Sequence, residues 1–169
     1  MSRSRFSVRY LTTAALIAAV YAALTLLLPI PRYGGVQLRV AEAMTVLPFF
    51  FPEAIPGLAV GCFLSNLPSP YVLDWIFGTL ASLLAAVWTS RVKDIRLAPL
   101  PPVVCNAVIV GAEIAWSAAQ EGAAFWPAYA MNALTVGLGE AAACFILGNL
   151  LLRALPRVPS LRSRMARQG

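Results

Sequence analysis

Residues 36–67, VQLRVAEAMTVLPFFFPEAIPGLAVGCFLSNL, are mostly apolar, yet they carry Arg39, Glu42, Glu53 and Asn66 and three prolines, Pro48, Pro52 and Pro56. A charge near the centre of a membrane helix costs roughly 2.5–3.5 kcal/mol on insertion scales, so such residues face a polar interior or a ligand. A simple anchor has no use for this mixture. The stretch is expected to form one wall of a small-molecule site inside a bundle of membrane helices.

The rest of the chain has the composition of such a bundle. It is 60% hydrophobic with a mean hydropathy of +0.76, far above a soluble domain. Its 169 residues leave room for six spans of ~20 residues with short connections. The net charge of +6 is not a nucleic-acid signal, because Arg3, Arg5, Arg9, Arg91, Lys93, Arg96, Arg153, Arg157, Arg162, Arg164 and Arg167 all flank apolar segments. Cys62, Cys105 and Cys144 lie inside apolar segments and read as small buried hydrophobes. The absence of histidine removes most zinc sites and every His-based triad. The apolar run Leu11–Leu28 exceeds the 7–15 residues of a signal-peptide core, so it reads as a retained first helix.

Hydropathy and proline positions divide the chain into a basic lead (1–9), a membrane domain (10–155) and a basic tail (156–169). The expected spans are 10–28, 36–51, 53–67, 72–90, 99–118 and 128–155, an all-α bundle of six transmembrane helices. Spans two and three are short, and a re-entrant hairpin fits them nearly as well. Lead, 91–96 loop and tail hold most of the basic residues and fall on one side, so both termini are expected to be cytoplasmic. The loops at 29–35, 66–71 and 119–127 then face outward, with Tyr33, Tyr71, Trp75, Trp116, Trp126 and Tyr129 at the interface.

In this topology the polar residues gather towards the outer half. Glu42, Asp74, Glu113 and Glu140 are set against Arg39, with Asn66, Asn132 and Asn106 adding amides. Arg39 and Glu42 share a helical face, as do Asn106 and Glu113. For any single residue a structural role competes: amides link helices, and Arg39–Glu42 can be an intrahelical pair. Four carboxylates left uncompensated would cost on the order of 10 kcal/mol. Either a ligand rich in N–H donors binds there or some of the acids are protonated. A carboxylate can accept two hydrogen bonds from a guanidine-like edge, and a second can hold an ammonium. Tyr33, Tyr71 and Trp116 are candidates for stacking on a ring.

Span one carries two rows of small residues, Ala14–Ala18–Ala22 and Ala15–Ala19–Ala23, of the kind that lets another helix approach closely. The chain's single lysine, Lys93, lies outside any glycine-rich loop, so no P-loop is present. Nor is there a clear internal repeat of the type common in secondary transporters. A binder that borrows its motor fits these features, and no cofactor is expected in the chain itself.

RVAEAMTVLPFFFPEAIPGLAVGCFLSNL (39–67) and LDWIFGTLASLLAA (73–86) resemble the signature region of the QueT family. PPVVCNAVIVGAEI (101–114) and VGLGEAAACFILG (136–148) are similar to that family's last two helices. The resemblance covers about residues 10–155. QueT proteins are the substrate-binding S components of energy-coupling factor (ECF) importers. The resemblance implies a bacterial plasma-membrane protein with an outward-facing pocket and no enzymatic activity. Its substrate would be a 7-deazaguanine such as preQ1 or queuine, and its partners a transmembrane T subunit, docked on the alanine rows of span one, and two ATPases that consume ATP. Carried onto this sequence, the substrate-binding set is Arg39, Glu42, Asn66, Asp74, Asn106, Glu113 and Glu140. Pro68 and Pro70 make the 66–71 loop stiffer than the family pattern. Competing expectations are an S component for another small cation or vitamin, a proton-coupled carrier using Glu113 or Glu140, and a purely structural membrane subunit.

Overall fold

The computed structural model describes residues 7–28, 39–159 and 161–162. The loop 29–35 with Tyr33, the first residues of expected span two, residues 1–6 of the lead and 163–169 of the tail lie outside them.

The described chain is all-helical. Its elements are α1 (Val8–Leu27), a 3-10 segment (Val40–Phe49), α2 (Ala54–Asn66), α3 (Asp74–Thr89), α4 (Ile95–Gln120) and α5 (Phe125–Arg157). Helices α1, α4 and α5 have 20, 26 and 33 residues and are long and apolar enough to cross a membrane. The 3-10 segment, α2 and α3 are apolar but shorter, so the architecture is a helical membrane bundle with three helices of full spanning length. Leu16, Val20, Phe63, Ile76, Leu134 and Leu138 are among the large apolar side chains on its exterior, as befits a surface solvated by lipid.

Local chemistry sets the element ends. Ser7 caps α1, its Oγ accepting from the Tyr10 N–H at 3.2 Å. Pro99, Pro101 and Pro102 fall at the start of the α-helical part of α4, where a missing N–H costs nothing. Helix α5 begins at Phe125 rather than at Ala128 as expected, because Pro127 is tolerated in the first turn. Glu53 is buried at the N-terminus of α2, an end that favours a carboxylate.

Expected span two differs most. Its described part is a ten-residue 3-10 helix, buried from Ala41 to Pro48 and enclosed by α1, α2, α3 and α5. Runs longer than three or four residues are uncommon for this helix. At ~2.0 Å per residue it reaches ~20 Å, against ~15 Å for the same residues in an α-helix. The segment is thus an interior strut and the centre of the larger core cluster. Met44, Val46, Leu47, Phe50 and Phe51 pack there with Tyr21, Leu58 and Leu152. A smaller cluster of Ala81, Val110, Ile114 and Val136 joins α3, α4 and α5.

Helices α1 and α2 pack at backbone distance. A Cβ on Gly57 would stand 2.7 Å from the Ala14 carbonyl oxygen, and one on Gly61 2.9 Å from that of Ala18. Ala14 and Ala18 are therefore buried inside the chain and Ala22 is half-buried, whereas Ala15, Ala19 and Ala23 are exposed. Helix α2 packs on the first row, and the second row is on the surface.

Candidate binding site

Arg39, Glu42, Asn66, Asp74, Asn106, Glu113 and Glu140 come from the 3-10 segment and its N-cap, α2, α3, α4 and α5, and all seven are buried. Arg39 caps the 3-10 segment with extended backbone, and its carbonyl accepts from the Glu42 N–H at 3.0 Å. Its guanidinium interacts electrostatically with Glu42 and Asp74, and Glu113 and Glu140 also feel its charge. Among the described residues, one cation thus serves four carboxylates from four elements.

Glu42 is fixed on one side. The Tyr21 hydroxyl donates to Glu42 Oε1, while Oε2 has no hydrogen-bond partner among the described residues. The Glu42 carbonyl accepts from Thr45 Oγ1 at 2.6 Å and from Cys144 Sγ at 3.5 Å. Cys144 also reaches Glu140 Oε2 at 3.6 Å, and Glu140 interacts with Glu42 and Asn106. The π-helical turn Ala142–Gly148 carries Cys144, and Asn106 opens the π turn Asn106–Val110 of α4. Such turns widen the helix locally and frequently occur at functional sites.

Asp74 is held from the 67–73 loop. Ser69 Oγ donates to Asp74 Oδ2 at 2.8 Å and accepts from the Tyr71 N–H at 3.2 Å. Pro68 and Pro70 flank Ser69, so the stiffness legible in the sequence holds this hydroxyl in place. Asn66 Nδ2 donates to the Asp74 carbonyl at 3.0 Å, and Gly78 makes room for it: a Cβ there would lie 2.7 Å from Nδ2. The Glu113 carboxyl comes up against that of Asp74. If both are ionised they are acceptors only, whereas one proton between them makes one a donor to the other; neither Glu113 oxygen has a hydrogen-bond partner among the described residues.

The inventory of buried atoms without partners is lopsided. Glu42 Oε2, Asp74 Oδ1, both Glu113 oxygens and Asn66 Oδ1 are acceptors, Asn106 Nδ2 and Trp75 Nε1 are donors, and Thr79 Oγ1 can be either. Leaving a buried polar atom unsatisfied costs ~1–3 kcal/mol, so this set calls for more N–H donors than acceptors. Among the described residues no three His, Cys, Asp or Glu side chains are placed to hold a metal ion.

Sequence reasoning missed Tyr21, Thr45, Ser69 and Cys144. Tyr21 lies on the buried face of α1 with Ala14, Ile17, Ala18 and Thr25, a helical stripe in which the phenol is the polar end. A buried tyrosine hydroxyl usually finds a partner, and that was the available signal. The cysteines are free and buried as expected, but Cys62 and Cys144 also belong to the polar network, Cys62 accepting from Ser82 Oγ at 3.2 Å. Trp116 and Trp126 are exposed on the bundle surface, where interface aromatics belong.

A family model described as QueT transporter matches residues 11–157. The chain belongs to the QueT transporter family. The queuosine precursor transporter QueT of Lactococcus lactis subsp. cremoris is 36% identical over 75 residues, 43% of this chain and 44% of that protein. The match therefore spans less than half of the relative's length. No solved structure matches. With three helices of spanning length, this member of the QueT transporter family is a multi-pass membrane protein.

Proposed function

We propose that this QueT protein is the substrate-binding S component of an ECF importer and that it captures a 7-deazaguanine queuosine precursor. The carrying observation is the excess of buried acceptors without a hydrogen-bond partner among the described residues, on Glu42, Asp74, Glu113 and Asn66, over such donors, on Asn106 and Trp75. PreQ1 offers the complementary set: ring and exocyclic N–H groups, one carbonyl acceptor and an aminomethyl cation. A guanidine-like edge matches a carboxylate with two hydrogen bonds, and the ammonium offsets the excess of negative charge. Queuine keeps the same ring edge and a secondary ammonium. The name of the Lactococcus relative supports this substrate class.

In this proposal all six helical segments make up the S-component bundle, with both termini cytoplasmic and the site open to the outside. The positive-inside distribution of Arg91, Lys93, Arg96, Arg153 and Arg157 supports that orientation. The exposed row Ala15–Ala19–Ala23 is the surface for a T subunit, and ATP is consumed by two partner ATPases. The decisive test is reconstitution of the chain alone in liposomes under a pH gradient. It is expected to bind labelled preQ1 without accumulating it. Accumulation would replace the S-component assignment with a self-sufficient, proton-coupled carrier.

A further inference from the structure

We infer that Tyr21 is a positioning residue for substrate: its hydroxyl fixes the Glu42 carboxylate so that Oε2 faces the ligand. The inference rests on the binding function proposed above.

Tyr21 is fully buried two-thirds of the way along α1, and its hydroxyl donates to Glu42 Oε1. The phenol has little freedom to leave. Its Cβ lies where a Cβ on Gly61 would approach to 2.9 Å, and its carbonyl accepts from Thr25 Oγ1 at 3.0 Å. Glu42 is equally constrained, because its backbone is tied by Thr45 and Cys144 and its 3-10 segment is enclosed on all sides. A carboxylate on a two-torsion stem still rotates about its last bond, and a single donor on one oxygen removes that freedom. The result is an oriented acceptor: Oε1 is taken and Oε2 remains without a partner among the described residues. Preorganisation of this kind raises affinity by removing the ordering cost at binding.

A double-mutant cycle read by calorimetric titration with preQ1 tests this, using Tyr21→Phe, Glu42→Gln and the double variant. Tyr21→Phe is expected to weaken preQ1 binding about tenfold in the native background, as loss of a hydrogen bond to a charged group does. In the Glu42→Gln background the same change is expected to matter less than about twofold. Equal effects in both backgrounds, or none in the native one, would overturn the role of Tyr21 while leaving the site intact. If Glu42→Gln itself leaves preQ1 affinity unchanged, the binding site is misassigned. Should Tyr21→Phe fail to fold, fluorotyrosine at position 21 keeps the hydroxyl and supplies a fluorine NMR signal. That resonance is expected to move on adding preQ1, and an unmoved resonance at saturation contradicts the inference.

Discussion

Asp74 illustrates how single residues prepare this site. Its side chain is held by Ser69, its carbonyl by Asn66, and Asn66 fits only because position 78 is glycine. Gly78→Ala would place a Cβ 2.7 Å from Asn66 Nδ2 and push the amide away from the Asp74 carbonyl. The expected outcome is a loss of ~1–2 kcal/mol in thermal unfolding together with weaker preQ1 binding. Unchanged melting and affinity would show that Asn66 is not held there. The acidic members of the cluster were legible in the sequence because a carboxylate inside an apolar segment is rare and costly. Tyr21 and Ser69 were not. A tyrosine in an apolar helix and a serine in a proline loop are ordinary residues until a structure shows what their hydroxyls touch.

Element boundaries were legible where chemistry punctuates the chain, as where α1 stops just before Pro29 and where Pro101 and Pro102 open the α-helical part of α4. Helix type was not. Hydropathy cannot tell a buried 3-10 strut from a short membrane helix, since the whole of Ala41–Pro48 is apolar or inward-facing in either form. The π turns of α4 and α5 are likewise invisible to periodicity, yet they carry Asn106 and Cys144. The alanine rows of α1 looked equivalent, and only the glycines of α2 distinguish them. Gly61→Val is therefore expected to force α1 from α2 and destabilise the chain by ~1–3 kcal/mol. Ala19→Leu, on the exposed row, is expected to stay within about 0.5 kcal/mol of the native chain. Under the S-component proposal it also weakens capture by a T subunit without changing preQ1 affinity. Equal destabilisation by both substitutions, followed by thermal melts in detergent, would contradict the assigned faces.

At the scale of the molecule, the 3-10 strut lets one short segment touch four helices and present Glu42 among them. Among the described residues, Arg39 is the cation that opposes Glu42, Asp74, Glu113 and Glu140 in a low-dielectric interior. Buried acceptors that are not matched among the described residues fit a match supplied by a ligand. The overall class was legible because composition leaves no other solvent than lipid for this exterior. The central claim is that the missing donors belong to a cationic deazaguanine. Calorimetric titration of the purified chain in detergent with preQ1, preQ0 and queuine, without ATP or partners, tests it most directly. The account predicts tight binding of preQ1 or queuine and weaker binding of preQ0, whose nitrile lacks the ammonium. Failure of all three to bind, or a preference for preQ0, would contradict it.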